Sequence, residues 1–339
     1  MNHIVSPQDN NGGSVLVTGG CGFIGSHVVL QLSEAGYHVI VVDDFSTGFL
    51  DSLLHNEKVY CGNCGDRELL SKIFTENQIS SIFHFAGVTS VPESIVNPIR
   101  YYEQNVTNSL HLLEAATKYE VENFLFSSTA AVYTDPVHSF VSEDSPTSPK
   151  SPYGASKLMI ERMLSDIAIA HSKLHYVILR YFNVAGAEIN LRLGQRTKCA
   201  SHLIQVACDA ALNKRPYVEL FGTDYPTPDG TGVRDYIHIQ DLAHAHVLAL
   251  QYLTEGGNST ILNVGYEKGT SAREVVEMVK KISGREFNVI ACPRRLGDAS
   301  CIVAKVDKIT SLLNWQPQYN TIERIIEDTW KWSLKKETI

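Results

Sequence analysis

Residues 14–36 read SVLVTGGCGFIGSHVVLQLSEAG, and no other stretch constrains the fold as tightly. A short β-rich apolar run stops at glycines. A helical apolar pattern follows and is closed by Gly36. Gly19, Gly22 and Gly25 carry the spacing GxxGxxG. In a strand–turn–helix unit the first glycine allows a tight turn and the second lets backbone approach a pyrophosphate. The third lets helix and strand pack closely. The helix N-terminus then offers free N–H groups and a positive dipole to phosphate. A second strand pattern, YHVIVVDD, brings Asp43 to a point eighteen residues past Gly25. A carboxylate there accepts from ribose hydroxyls and repels a 2′-phosphate, which favours NAD over NADP.

The alternation continues. SSIFHFAG (80–87) predicts a strand, NVTNSLHLLEAATKYEV a helix, and NFLFSSTAAVY (123–133) a strand that delivers Ser127, Ser128 and Thr129 at its carboxyl end. LHYVILRYFNVAG (174–186) predicts another strand. Repeated β-α units imply an α/β chain with a doubly wound parallel Rossmann sheet, and ligands at the carboxyl ends of its strands. In SPYGASK (151–157), Ser151 suits an N-cap and Pro152 the first helical position. Tyr153 and Lys157, four apart, share a face of that helix. The ammonium and the helix dipole are both expected to favour phenolate over phenol. That makes Tyr153 a candidate acid/base, and a surface Tyr beside a solvated Lys is the structural alternative.

A chain of 339 residues suggests two domains. Its net charge of −8 and lack of any Lys/Arg run argue against nucleic acid, so an anionic ligand must be met by local cations. The opening MNHIVSPQDNNGG is polar, and residues 1–13 are expected to be a flexible extension without a signal peptide. No apolar run approaches the roughly 20 residues of a membrane span. Seven scattered cysteines fit reduced thiols and a cytoplasmic location. Cys61 and Cys64 form a single CxxC, which cannot close a zinc site alone, and no HExxH is present. His244 and His246, two apart on a predicted helix, do not share a face. No metal is assigned.

The segments VLVTGGCGFIGSH, HFAG, FLFSSTAAVY, SPYGASKLMIE and LRYFNVAGA together resemble the extended short-chain dehydrogenase/reductase family. FGTDYPTPDGTGVRDYIHIQDLAHAHVLAL (221–250) is similar to the branch that inverts C4 of UDP-hexoses. The likeness runs from about residue 14 to about 333 and includes CPRRLGD and DTWKW. It implies an NAD-binding domain over 14–182 and a smaller C-terminal α/β UDP-sugar domain over 183–339, with 236–265 returning to the first. It implies Thr129, Tyr153 and Lys157 as the catalytic set, Lys157 also holding the nicotinamide ribose. Gly19, Gly22, Phe23, Ile24 and Gly25 match the pyrophosphate loop, and Asp43 the ribose acid. Asn63, Phe85, Ala86, Gly87, Asn105, Ser127 and Tyr181 match further cofactor contacts. Asn183, His202, Leu203, Phe221, Arg234, Arg295, Asp298 and Ile302 fall in segments that hold the UDP-sugar. Two departures stand out: Asn63 replaces an Asp of the adenine pocket, and Thr89 stands where a Lys often meets the pyrophosphate.

The implied reaction is the interconversion of UDP-glucose and UDP-galactose through a 4-keto sugar, with tightly bound NAD. A ketose that must not escape has to be held through UDP, which gives Arg234 and Arg295 a purpose in an acidic chain. A 4,6-dehydratase on this scaffold needs an acid and a base directly after the catalytic Thr, where this chain has Ala130 and Ala131. A non-enzymatic NAD-binding redox sensor would not need the proton-transfer set. A 4-epimerase of N-acetylhexosamine nucleotides would use the same catalytic residues. In the family, Tyr at the position of Ile302 excludes an N-acetyl group and a small residue admits it; Ile302 is neither. The resemblance also implies a homodimer, paired through helices near 98–118 and 152–171.

Overall fold

The computed structural model describes residues 13–134, 140–196, 201–295 and 297–336, so the predicted extension lies outside the described residues apart from Gly13. The first half alternates β1 (Ser14–Thr18), α1 (Phe23–Glu34), β2 (Val39–Asp43), β3 (Lys58–Cys61), α2 (Arg67–Glu76) and β4 (Ile79–His84). Two short helices, α3 (Val91–Val96) and α4 (Pro98–Tyr101), lead through a π-helical turn at Tyr102–Thr107 into α5 (Asn108–Lys118). Then come β5 (Asn123–Thr129), β6 (Phe140–Val141), α6 (Pro152–Ala170), β7 (His175–Tyr181) and β8 (Asn183–Ala185). The remainder runs α7 (Leu203–Ala211), β9 (Tyr217–Phe221), β10 (Val233–His238), α8 (Ile239–Thr254), β11 (Thr260–Val264) and β12 (Gly269–Ser271). It closes with α9 (Ala272–Ser283), β13 (Asn288–Cys292), β14 (Cys301–Ala304), α10 (Asp307–Leu313) and α11 (Ile322–Lys335).

Seven parallel strands form one sheet in the order β11-β7-β5-β4-β1-β2-β3. The chain winds outward in both directions from the β1–β4 junction, so a crevice opens beyond the carboxyl ends of those two strands. Apolar residues cover both faces. Val15, Val17, Val41 and Phe83 face one core, shared with α1 and α8, while Leu16, Ile40, Val42 and Ile82 face the other. This is why the strands read as continuous apolar runs. A second sheet, β12-β10-β14-β6 with β8 on β10, and the pair β13-β9 make up the C-terminal part.

The predicted strand 174–186 is two strands in two sheets. β7 pairs with β5 and β11, and after Phe182 β8 pairs with β10. The predicted strand 123–133 ends at Thr129, where Ala130–Val132 form a single 3₁₀ turn. Strand β4 stops at His84 and leaves Phe85–Gly87 as crevice loop. Residues from 239 lie with the first sheet: α8 packs on α1, β5 and β7, and β11 forms the sheet's edge. The preceding β10, including Tyr236–His238, belongs to the second sheet. Among the described residues no helix is long and apolar enough to cross a membrane.

Candidate active site

The glycine turn meets the loop after β4. Gly19 has φ +69°, and a Cβ there would come within 2.7 Å of Ala86 N. A Cβ on Gly25 would lie 2.2 Å from Gly19 O, so α1 can start against the turn only with glycine at 25. Gly22 N-caps α1, and a Cβ there would lie 3.3 Å from Gly19 O. Phe23 and Ile24 follow in the first turn, half-buried and packed on the core. Asp43, buried at the end of β2, accepts from Cys21 N at 2.9 Å and Phe45 N at 2.8 Å. Its carboxylate thus braces the glycine loop. Burial pushes its pKa up against those two donors.

Asn63 Oδ1 accepts from Gly65 N at 2.7 Å, and its amide lies 3.5 Å from Gln104 Oε1. Phe85 N and Ala86 N both donate to Thr18 O, which pins the β4 loop to β1. Gly87 lies beside Asn105, whose amide accepts from Val88 N and donates to Val88 O and to Ser156 Oγ. Both polar atoms of Asn105 are therefore engaged within the protein. Thr89 is exposed.

Ser151 caps α6 through Gly154 N at 3.2 Å, with Pro152 following, as the SPYGASK pattern requires. This cap sets Tyr153 in the first turn, buried near Thr129 at the end of β5. Lys157 Nζ donates to Ser127 O at 3.0 Å and sits over the Phe126 ring. Ser127 Oγ bonds the Tyr181 hydroxyl. The expected depression of the Tyr153 pKa by Lys157 is absent. Burial raises it, and the nearby Thr129 hydroxyl is the opposing influence. The ammonium is itself pulled down to about 8 by burial, with Cys64 and Glu161 resisting. Burying a phenol and an ammonium together disfavours the charged form of each.

The second cluster stands on the C-terminal sheets. Arg234, on β10, donates to Val233 O at 2.9 Å and lies 4.0 Å from Asp298, with Ile302 opposite in register. The Arg295 guanidinium stacks on Phe221 at 3.6 Å from the ring centroid. Asn183 pairs with Tyr236 in the β8–β10 ladder. His202 is the N-cap residue of α7, and Leu203 opens the helix. Ile302 is buried in an apolar cluster with Val132 and Phe182, against which Ala130 and Leu158 also pack. That cluster joins the β14 segment to the neighbours of Thr129 and Lys157.

A buried polar cross-link that none of the sequence motifs includes lies beneath this site. Glu161, one turn after Lys157, accepts from Arg180 Nη2 at 2.6 Å and Nε at 3.0 Å, and from Ser128 Oγ. Arg180 also reaches Tyr133 OH at 3.1 Å and Glu143 O at 3.2 Å. An Arg inside the apolar strand VILRYF was the available signal. Among the described residues no cluster of His, Cys, Asp and Glu could hold a metal. Cys61 is exposed and Cys64 buried, both as free thiols.

A glycine turn at the switch point of a parallel sheet, above an acid-ended second strand, defines a dinucleotide-binding enzyme fold. The chain belongs to the NAD dependent epimerase/dehydratase family, whose profile matches residues 15–265. A UDP-glucose 4-epimerase from Azospirillum brasilense is 47% identical over 323 residues, covering 95% of this chain and 92% of that protein. The structure of UDP-glucose 4-epimerase from Bifidobacterium longum in complex with NAD+ and UDP superposes with a TM-score of 0.92 at 35% identity, covering 96% of this chain and 99% of that one. The UDP-Glc/GlcNAc 4-epimerase from Campylobacter jejuni gives a TM-score of 0.83 at 40% identity, covering 96% and 100%.

Proposed function

We propose that this chain interconverts UDP-glucose and UDP-galactose by removing the C4 hydride of the hexose and returning it to the opposite face. The observation that carries the reading is the burial of Tyr153 and Lys157 together on the first turns of α6, against the carboxyl end of β5 where Thr129 lies and where Lys157 Nζ donates to Ser127 O. Asp43, the glycine turn, Phe85–Gly87 and Lys157 would hold the cofactor. The side-chain-free turn that the close approaches at Gly19 and Gly25 require, and the buried Asp43 carboxylate, fit a dinucleotide. Bound NAD+ supplies the hydride acceptor, and its pyridinium charge offsets the burial that keeps Tyr153 protonated.

Tyr153, once a phenolate, takes the O4 proton as C4 loses its hydride, and gives it back when the hydride returns. Thr129 bonds O4 and relays that proton to Tyr153. No net redox results, so the nucleotide need not leave. Arg234 and Arg295 anchor the diphosphate as fork-shaped donors, and Phe221 supports the Arg295 plane. Holding UDP leaves the 4-keto sugar free to turn over without escaping. Ala130 and Ala131, in the turn after Thr129, offer no acid or base for elimination, which argues against dehydration.

Tyr153→Phe tests the reading. It is expected to keep fold and nucleotide while turnover drops about 100- to 10,000-fold. Near-normal turnover would remove Tyr153 from the reaction. A second specificity is favoured by Ile302: it is smaller than a Tyr and sits in the cluster that flanks Thr129. We therefore expect weak turnover of UDP-N-acetylglucosamine, abolished by Ile302→Tyr.

Exposed Ile99 on α4, Leu110 on α5 and Met159 on α6 support a homodimer through these helices.

A further inference from the structure

His84 ends β4 and is 1% exposed, yet both ring nitrogens are bonded. Nδ1 lies 2.7 Å from Thr18 Oγ1, and Nε2 lies 2.7 Å from Ser109 Oγ. The neighbouring bonds fix the direction of each. Ser109 Oγ donates to Asn105 O at 2.6 Å, so it accepts from His84. Nε2 then carries the proton, Nδ1 accepts, and the Thr18 hydroxyl donates. Thr18 Oγ1 in turn accepts from Ala86 N at 3.3 Å. Burial holds the ring neutral, with a pKa near 3, so this direction persists at working pH.

The line continues beyond Ser109. Asn105 lies in the π-helical turn, a geometry often found at functional sites. Its amide donates to Ser156 Oγ at 2.9 Å, and Ser156 Oγ donates to Tyr153 O at 2.7 Å. One end of this path is the residue before the glycine turn, and the other is the backbone of the proposed acid/base. A residue that merely filled the core between β1 and α5 would need no second nitrogen.

We propose that His84 is a positioning residue that sets the glycine turn and the first turn of α6 in register, so that cofactor and Tyr153 phenol meet the same carbon. The inference rests on the reading of Tyr153 as the acid/base. The test uses the nucleotide-loaded protein and the variants His84→Phe, His84→Asn and His84→Gln. Asn keeps an acceptor near the Nδ1 position and Gln keeps a donor near Nε2. His84→Phe is expected to lower kcat about 10- to 100-fold, the cost of small misplacement at a reacting centre. KM for the UDP-hexose should stay near the wild-type value, since the UDP contacts lie on other elements. His84→Phe should also release nucleotide on gel filtration. Asn is expected to restore retention through the Thr18 arm, and Gln to restore turnover through the Ser109 arm. Unchanged kcat and nucleotide content in His84→Phe, whatever its melting temperature, would overturn the proposal. So would losses in all three variants that simply track melting temperature. Tyr153→Phe is assayed alongside: if it retains turnover, the reading of Tyr153 fails, while nucleotide retention in the His84 variants still reports on the Thr18 arm.

Discussion

Replacing Glu161 by alanine would strip a buried guanidinium of its counter-charge. Glu161 and Arg180 are each about 4% exposed, and the carboxylate takes hydrogen bonds from Nε and Nη2. Removing one partner of such a pair costs roughly 3–5 kcal/mol, because the other charge stays buried. Arg180 keeps Tyr133 OH and Glu143 O, which pulls the figure to the low end. Ser128 loses its acceptor, and an unmet buried hydroxyl adds about 1 kcal/mol or more. The expected loss is therefore about 4 kcal/mol, read from urea unfolding of NAD-saturated protein at pH 7. The double variant Glu161→Leu with Arg180→Met buries no charge and is expected to recover most of that loss. Glu161 also resists the fall of the Lys157 pKa, so Glu161→Ala should leave less ammonium at pH 7 and lower turnover in the folded fraction. A loss under about 1 kcal/mol for Glu161→Ala, against the 3–5 of an uncompensated buried charge, would refute this account. So would a double variant no more stable than the single one.

Acid stability follows from three buried imidazoles. Burial lowers His27 and His246 to about 4 and His84 to about 3, below the unfolded value of 6.5. Their contribution is fully present above pH 6.5 and is lost as pH falls through 4, because the unfolded chain takes up protons first. Each costs about 1.4 kcal/mol per pH unit in that window, so the melting temperature should fall steeply from pH 6 to pH 4.5. A flat profile there would mean these rings titrate normally. The nucleotide released on denaturation should be NAD, since the Asp43 carboxylate repels a 2′-phosphate; mainly NADP would contradict the role given to Asp43. Leu110→Glu with Met159→Glu should convert a dimer to a monomer in light scattering, and a wild-type monomer at micromolar concentration would remove that expectation.

The parts of the molecule legible in sequence are those set by local rules. The glycine turn, the Ser151–Pro152 cap and the apolar runs of β1, β2 and β5 each follow from residues within a few positions of one another. So does the alignment of Tyr153 with Lys157, because helical spacing alone puts them on one face. What they do to each other was not legible. The ammonium is drawn to Ser127 O, thirty positions earlier in the chain, and burial outweighs proximity. The split of 174–186 into two sheets was hidden for the same reason. Nothing in the run says that β8 will find β10 some fifty residues later.

The illegible remainder is mostly polar and long-range. Tyr133 donates to Asn263, 130 residues away, and Asn263 donates to Val141 O. These bonds tie the segment after the Ala130–Val132 turn and the β6 edge of the second sheet to β11 of the first. Ile302 packs on Val132 and Phe182 in the same region, so the wall proposed to face the sugar is built from segments of both sheets. A change in the wall at Ile302 would press on a turn that directly follows Thr129. On the proposed reading, bulk at 302 therefore acts on substrate choice and on the Thr129 hydroxyl together. This predicts that Ile302→Tyr will lower turnover of N-acetylated substrate far more than that of the unmodified hexose, yet will still slow the latter by a few-fold, since overpacking costs about 1–3 kcal/mol and only part of it falls on Thr129. Assaying both substrates with the wild type and this variant separates the two effects. If both rates fall by the same factor, the strain falls on Thr129 and Ile302 does not select between sugars.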